Sequence, residues 1–218
     1  AAMGTFAQKT ADEHGLTREG MDAFAIESLT RAQRAIDDGL NQKEIAPVTI
    51  RTRRGEHTVS VDEQPHKANL EKIPQLRPAF AENGTITPAN SSSISDGASA
   101  LLLASEAAVE AHGLTARARI VAHSRNSLAP EAFTLAPIGA AEDVLAKAGW
   151  TVADVDLWEI NEAFAMVTML TMQALNLPHE KVNIYGGACA QGHPIGSTGS
   201  RLIVTLAHAM QQHGKQRG

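Results

Sequence analysis

The chain has 218 residues, 43% of them hydrophobic and 20% charged, with a formal net charge of −5 and a pI near 6.0. That is enough apolar material to bury a core for one large or two smaller domains. Basic residues are scattered rather than clustered and even the apolar stretch 98–104, interrupted at Ser99, is too short to cross a bilayer, so neither nucleic acid nor membrane is an expected partner.

The first thirty residues lack the basic, apolar, small-residue order of a secretory signal, so a cytoplasmic location is expected. The single cysteine, Cys189, rules out an internal disulfide and a cysteine cluster for zinc. No two of the nine histidines are four residues apart, and no metal centre is expected.

In chain order, the first clear element spans 17–39. Met21, Ala25, Leu29, Ala32 and Ile36 recur at helical spacing, with Thr17 as N-cap and Gly39 as C-terminal stop. Residues 47–61 read as strands broken by a turn at Arg53-Arg54-Gly55-Glu56, and 62–88 as a proline-punctuated lid or excursion. From Ser95 alanine-rich helices alternate with short apolar strands, and Gly113, Gly149 and Gly214 close the helices. The expected order is a helix, strand 119–123, helix 139–148, strand 155–160, helix 162–175, strand 182–185 and helix 197–212. Such alternation predicts a layered α/β fold.

Two segments carry candidate chemistry. Residues 186–199 form a glycine-dense loop between an expected strand and helix, where α/β proteins place ligands. Within it, His193 stands between Gly192 and Pro194, and a fixed imidazole there can serve as base or hydrogen-bond donor near neutral pH. The second segment, Trp158-Glu159-Ile160-Asn161-Glu162-Ala163-Phe164-Ala165, lies where a strand is expected to enter a helix, with Asn161 at the N-cap.

Asn161-Glu162-Ala163-Phe164 followed by Gly192-His193-Pro194-Ile195-Gly196 resembles the paired signature of the thiolases. Further matches stand at Met3-Gly4-Thr5, Asp22-Ala23-Phe24-Ala25, Leu76-Arg77-Pro78-Ala79-Phe80 and from Thr85 through Asn90 to Ser95-Asp96-Gly97-Ala98. The resemblance covers essentially the whole chain. It implies an α/β fold that is layered α/β/α/β/α in the whole enzyme. Here that becomes a lid region over 1–94 and most of a C-terminal thiolase domain over 95–218, incomplete at its C-terminus.

The activity it implies is acyl transfer, acyl-CoA plus acetyl-CoA in equilibrium with 3-ketoacyl-CoA plus CoA, within fatty acid metabolism. Acyl-CoA substrates are the implied partners, no metal or redox cofactor is needed, and the implied assembly is a homodimer or homotetramer. By the same resemblance, Asn161 holds a water that with His193 forms an oxyanion hole for the thioester oxygen, and His193 also activates the acyl-carrying cysteine. An enolate charge needs such preorganised donors, and losing one costs on the order of 3 kcal/mol of barrier. Ser92 falls at the contact to the pantetheine arm, and Phe80, Phe133 and Phe164 at the apolar tunnel walls. Met3 and Lys67 belong to the implied coenzyme A contacts, Lys67 with Lys72 and His66 toward the nucleotide phosphates.

Thiolases use two cysteines, one as nucleophile and one as base in a later Cys-x-Gly segment. Neither is present, so the sequence reads as truncated at both ends. Cys189 occupies a position the family gives to a small apolar residue and is expected to pack in the core. Ala2 stands where short-chain biosynthetic members carry a histidine, which favours a degradative thiolase for longer or branched substrates as an alternative. A non-catalytic coenzyme-A-binding or structural chain is the alternative from another class. A ketoacyl synthase is disfavoured by Asn161, where those enzymes place a second histidine.

Overall fold

The computed structural model describes residues 2–218. Its elements in order are α1 (Met3–Glu13), α2 (Arg18–Asp37), β1 (Val48–Thr52), β2 (Gly55–Val59), α3 (Gln64–Lys67), α4 (Glu106–Ala111), α5 (Ala136–Ala148), α6 (Ala165–Leu175), α7 (Ala188–Gln191) and α8 (Thr198–Gln212), joined by 3₁₀ turns such as Leu70–Gln75 and Pro130–Leu135.

Helix α2 matches its expected span. The Thr17 hydroxyl accepts from the Gly20 amide, and the helix ends as Gly39 takes φ +68 while Leu40 N–H donates to Ala35 O. A left-handed residue with that backward bond is a common helix stop. Met21, Phe24, Ala25, Leu29, Ala32 and Ala35 form its buried face. Each large apolar side chain among them contributes about 1.5–3 kcal/mol on burial.

One core joins α1, α2, α6 and α7. Ala7, Ala11, Met21, Phe24, Met166 and Leu170 meet there, with Cys189 at its edge. Gln8 on α1 is buried because its carboxamide replaces a strand neighbour: Oε1 accepts from the amides of Thr85 and Ile86, and Nε2 donates to Thr85 Oγ1. The proline-punctuated stretch is held similarly. Arg18 donates to the carbonyls of Ile73, Pro74 and Leu76 while bonding Asp22, which in turn accepts from Asn90.

The expected strands around 47–61 form an antiparallel hairpin with Val48 opposite Val59 and Thr52 opposite Gly55. Among the described residues it is the only two-stranded ladder. The strands expected at 119–123, 155–160 and 182–185 do not form as such; a single parallel bridge, Trp158 to Val182, marks where the last two run side by side. Extended backbone becomes sheet only when a neighbour accepts and donates along its length, and 98–104 and 119–123 lack one. Leu102, Leu103 and Ile120 are accordingly exposed.

The helix expected from Ser95 is also corrected: it is confined to α4, capped by Ser105 and closed at Gly113. The helix expected over 162–175 starts three residues later, with Phe164 rather than Asn161 next to its first turn. Asn161 is therefore not an N-cap. Its segment is drawn off the helix by bonds to neighbouring chain, described below. No helix among the described residues is long and apolar enough to cross a membrane.

Candidate active site

Residues 90–94 lie between the two motif segments and bring them together. On one side Ala165 N–H donates to Asn90 O and Ser92 N–H to Ala163 O, at 2.8 and 3.0 Å. On the other, His193 N–H donates to Ser93 O at 2.9 Å, and Ile94 and His193 form a parallel bridge. Asn161 and His193 consequently line one cavity of about 2290 Å³. It is larger than an ordinary ligand pocket because it continues beneath the unpartnered backbone of 115–124.

His193 is half-buried. The Thr198 hydroxyl donates to Pro194 O at 3.0 Å, so its oxygen accepts from His193 Nδ1–H at 2.7 Å. This network assigns the proton to Nδ1 and leaves Nε2 as the free base. Burial first, and then the Arg201 guanidinium, hold the imidazole below the usual histidine range. A neutral ring that can take a proton and afterwards donate it is what general-base chemistry near neutral pH requires.

Asn161 Oδ1 is buried with no protein hydrogen-bond partner, as is the indole N–H of Trp158 in the same cavity. A buried unpaired polar atom costs about 1–3 kcal/mol. Such a group in a cavity wall points to a ligand or water as its partner.

Glu162, next in sequence, is fully buried and accepts from three donors: Ser28 Oγ at 2.7 Å, Asn183 Nδ2 at 2.9 Å and the Cys189 amide at 3.0 Å. Burial raises its pKa, opposed by those bonds. Gly187 has to be a glycine, because a Cβ there would lie 2.3 Å from the Glu162 carboxyl carbon. On the other side of Asn161, Glu159 sits 3.5 Å from Arg201 of α8 with only 4% of its side chain exposed, and burial pushes its pKa up to about 8.

The remaining sequence-derived candidates divide. Phe164 is buried in the cavity wall and meets Phe80 edge-on at 6.1 Å; the Phe80 ring packs against the Gly4 backbone, where a Cβ would be 2.3 Å away. Phe133 and Ser92 also line the wall, and the Ser92 hydroxyl donates to Ala163 O. Met3 stands at the rim, 54% exposed. Lys67 lies outside the cavity on α3, an exposed side chain 3.4 Å from Glu63, and His66 pairs with Asp37. Cys189 is buried, and burial raises its thiol well above the usual range, with Glu162 adding to the effect. A thiol so placed is a poor nucleophile. Glu162, Asn183 and Arg201 are not singled out by the sequence; for Glu162 the available signal is a charge inside an otherwise apolar motif, which a core accommodates only when it is paired.

Comparison with known proteins bears on this arrangement. The family model described as Thiolase, N-terminal domain matches residues 1–107, and that described as Thiolase, C-terminal domain matches residues 114–218. The acetyl-CoA acetyltransferase of Yarrowia lipolytica is 45% identical over 210 residues, covering 96% of this chain and 53% of that protein. The cytosolic acetyl-CoA acetyltransferase of Mus musculus is 43% identical over 219 residues, covering 99% of this chain and 55% of that one. The crystal structure of the Bacillus anthracis acetyl-CoA acetyltransferase superimposes with a TM-score of 0.94 at 39% identity, over 98% of this chain and 54% of that chain, which shows the α/β fold class. The chain thus spans about half the length of the curated relatives it matches.

Proposed function

Since the chain belongs to the thiolase family, we propose that it provides the oxyanion-stabilising side of a thiolase-type transfer, acyl-CoA plus acetyl-CoA in equilibrium with 3-ketoacyl-CoA plus CoA. The observation that carries this reading is the meeting, in one cavity, of a base-ready His193 and an Asn161 whose buried Oδ1 has no protein partner. His193 Nε2 takes the proton of an attacking thiol; the imidazolium then has an N–H to offer the thioester oxygen. Asn161 holds a water beside it, and the two donors stabilise negative charge as it develops on that oxygen. The apolar wall formed by Phe80, Phe133 and Phe164 suits an acyl or pantetheine chain, with Ser92 and Met3 along its length. The substrates are coenzyme A thioesters, and no resident cofactor is called for by these steps.

The thiol nucleophile of this reaction is not Cys189, which faces the core. The test is thiolysis of a 3-ketoacyl-CoA by the natural protein, comparing wild type with His193→Ala. Removing a general base lowers the rate roughly 10²- to 10⁴-fold; an unchanged rate excludes the assignment. The name of the mouse relative supports a cytosolic location, and the exposed apolar residues Leu102, Leu103 and Ile120 support assembly into a dimer or tetramer.

One observation favours a second reading, in which this chain binds coenzyme A without itself carrying the acyl group: Cys189, the cysteine within these 218 residues, is buried. Intact-mass measurement after incubation with acetyl-CoA separates the two. A covalent acetyl adduct supports transfer, whereas thioester binding without an adduct supports the second reading.

A further inference from the structure

Asn161 has buried polar machinery on both sides that the proposed chemistry does not use. Before it, the backbone of Ile160 is gripped from both directions by one side chain: Asn183 Oδ1 accepts from Ile160 N–H and Asn183 Nδ2 donates to Ile160 O, each at 2.8 Å. After it, Glu162 Oε1 accepts the second Nδ2 proton of the same Asn183 at 2.9 Å. The other carboxyl oxygen accepts from Ser28 on α2 and from the amide of Cys189, four residues ahead of His193. Ser28 Oγ in turn accepts from Gly187 N–H at 3.0 Å.

Every side-chain proton in this set is donated and every side-chain oxygen accepts at least one bond. Asn183 is 2% exposed and Glu162 1% exposed, and Asn183 holds a left-handed backbone, φ +46, that presents its side chain to Ile160. Asparagine tolerates that conformation better than most residues. A network this complete fixes geometry, because rotating any member leaves a buried donor or acceptor unpaired.

We infer that Glu162 and Asn183 are positioning residues: together they clamp the backbone on either side of Asn161 and tie it, through Ser28 and the Cys189 amide, to the loop that carries His193. The inference rests on the reading of Asn161 and His193 as the oxyanion donors. Neither clamp residue is among the groups lining the cavity, so both act through Asn161. The clamp also explains why a charged residue follows Asn161: an amide in place of Glu162 would turn an NH₂ group toward a donor, either Asn183 Nδ2 or the Cys189 N–H.

The experiment uses the natural protein with Glu162→Gln and Asn183→Ser. Two readouts are taken on each variant: the ¹⁵N signals of the Asn161 carboxamide and the His193 imidazole, and the kcat and KM of thiolysis. With the clamp in place as described, both sets of signals move in both variants, and kcat falls roughly 10- to 100-fold while KM stays within about twofold, as expected when a transition-state donor is displaced. Effects of the two substitutions are less than additive in the double variant, because they break one network. Folded variants that keep the Asn161 and His193 signals at their wild-type positions overturn the inference, whatever their melting temperature. If either variant does not fold, Ser28→Ala removes a single donor to Glu162 and carries the same readouts. Moved signals in a protein whose wild type shows no thiolysis uphold the clamp and remove the functional reading alone.

Discussion

The Nδ1 of His193 and the hydroxyl of Thr198 lie 2.7 Å apart, and the Thr198 proton is already committed to the carbonyl of Pro194. One hydroxyl therefore selects the imidazole tautomer, and it does so from the first residue of α8. Thr198→Val keeps the shape and removes the acceptor. We expect kcat for thiolysis to fall about tenfold, in the range seen when the partner orienting a histidine is lost. The ¹⁵N spectrum of His193 should show both tautomers; a single unchanged tautomer would falsify the assignment.

Arg201 carries a second prediction. Its positive charge, after burial, depresses the His193 pKa. Arg201→Met removes the charge and lets the midpoint rise toward the ordinary histidine range, so the imidazole is more often protonated near neutrality and the acidic limb of the rate profile moves to higher pH. Titration of the His193 ring by NMR checks the direction, and a midpoint that falls contradicts it.

Glu159 links the same arginine to stability. Its carboxyl is raised from 4.5 to about 8, by burial above all, with Arg201 opposing and Glu162 and Glu44 adding to the rise; Glu44 itself is raised to about 7, again chiefly by burial. A carboxyl whose folded-state pKa is raised contributes stability that is complete below its unfolded value and is lost as pH climbs through the folded value. His179, His193 and His208 have lowered values, which act in the opposite sense only below the ordinary histidine value of 6.5. The measurement is Tm against pH between about 6.5 and 8.5. Wild type should lose Tm as pH rises across that window, and Glu159→Gln should follow a shallower slope. Parallel slopes would remove Glu159 as the source.

Cys189 is expected to be inert. With its thiol buried and its pKa raised, alkylation by iodoacetamide should run at least about 100-fold slower in the native protein than in denaturant, because only thiolate reacts. Cys189→Ala should leave thiolysis within about threefold of wild type, since the side chain acts in packing. Native-state alkylation at the denatured rate would place the thiol at the surface instead.

What the sequence made legible was what local rules govern. Thr17, the periodic apolar residues and Gly39 defined α2, and the Arg53–Glu56 turn defined the hairpin, because capping and turn chemistry act within a few residues. The motif segments around Asn161 and His193 were legible through glycine density and family resemblance. Helix α1 was missed because its buried face is built from Gly4, Ala7, Gln8, Thr10 and Ala11, which give little apolar contrast. The strands at 119–123 and 155–160 were read from apolar runs, but a run specifies an extended backbone without supplying its neighbour. Local preference places Asn161 at an N-cap, and a long-range contact decides otherwise: Asn183, the residue after Val182 of the parallel bridge, bonds both backbone groups of Ile160 just ahead of Asn161. The Glu162 set was illegible for the same reason, since Ser28 lies 134 residues away and Asn183 lies 21.

The segments 98–104 and 115–124, whose backbone makes no hydrogen bond to neighbouring main chain, finally bear on how this polypeptide behaves in solution. Their main-chain amides and carbonyls, flanked by exposed Leu102, Leu103 and Ile120, present a ready template on which another extended chain can hydrogen-bond. Self-templating of that kind scales with concentration, so light scattering from the 218-residue chain should grow faster than linearly as it is concentrated. Colloidal behaviour, rather than melting, then sets the ceiling on how much of it stays dispersed.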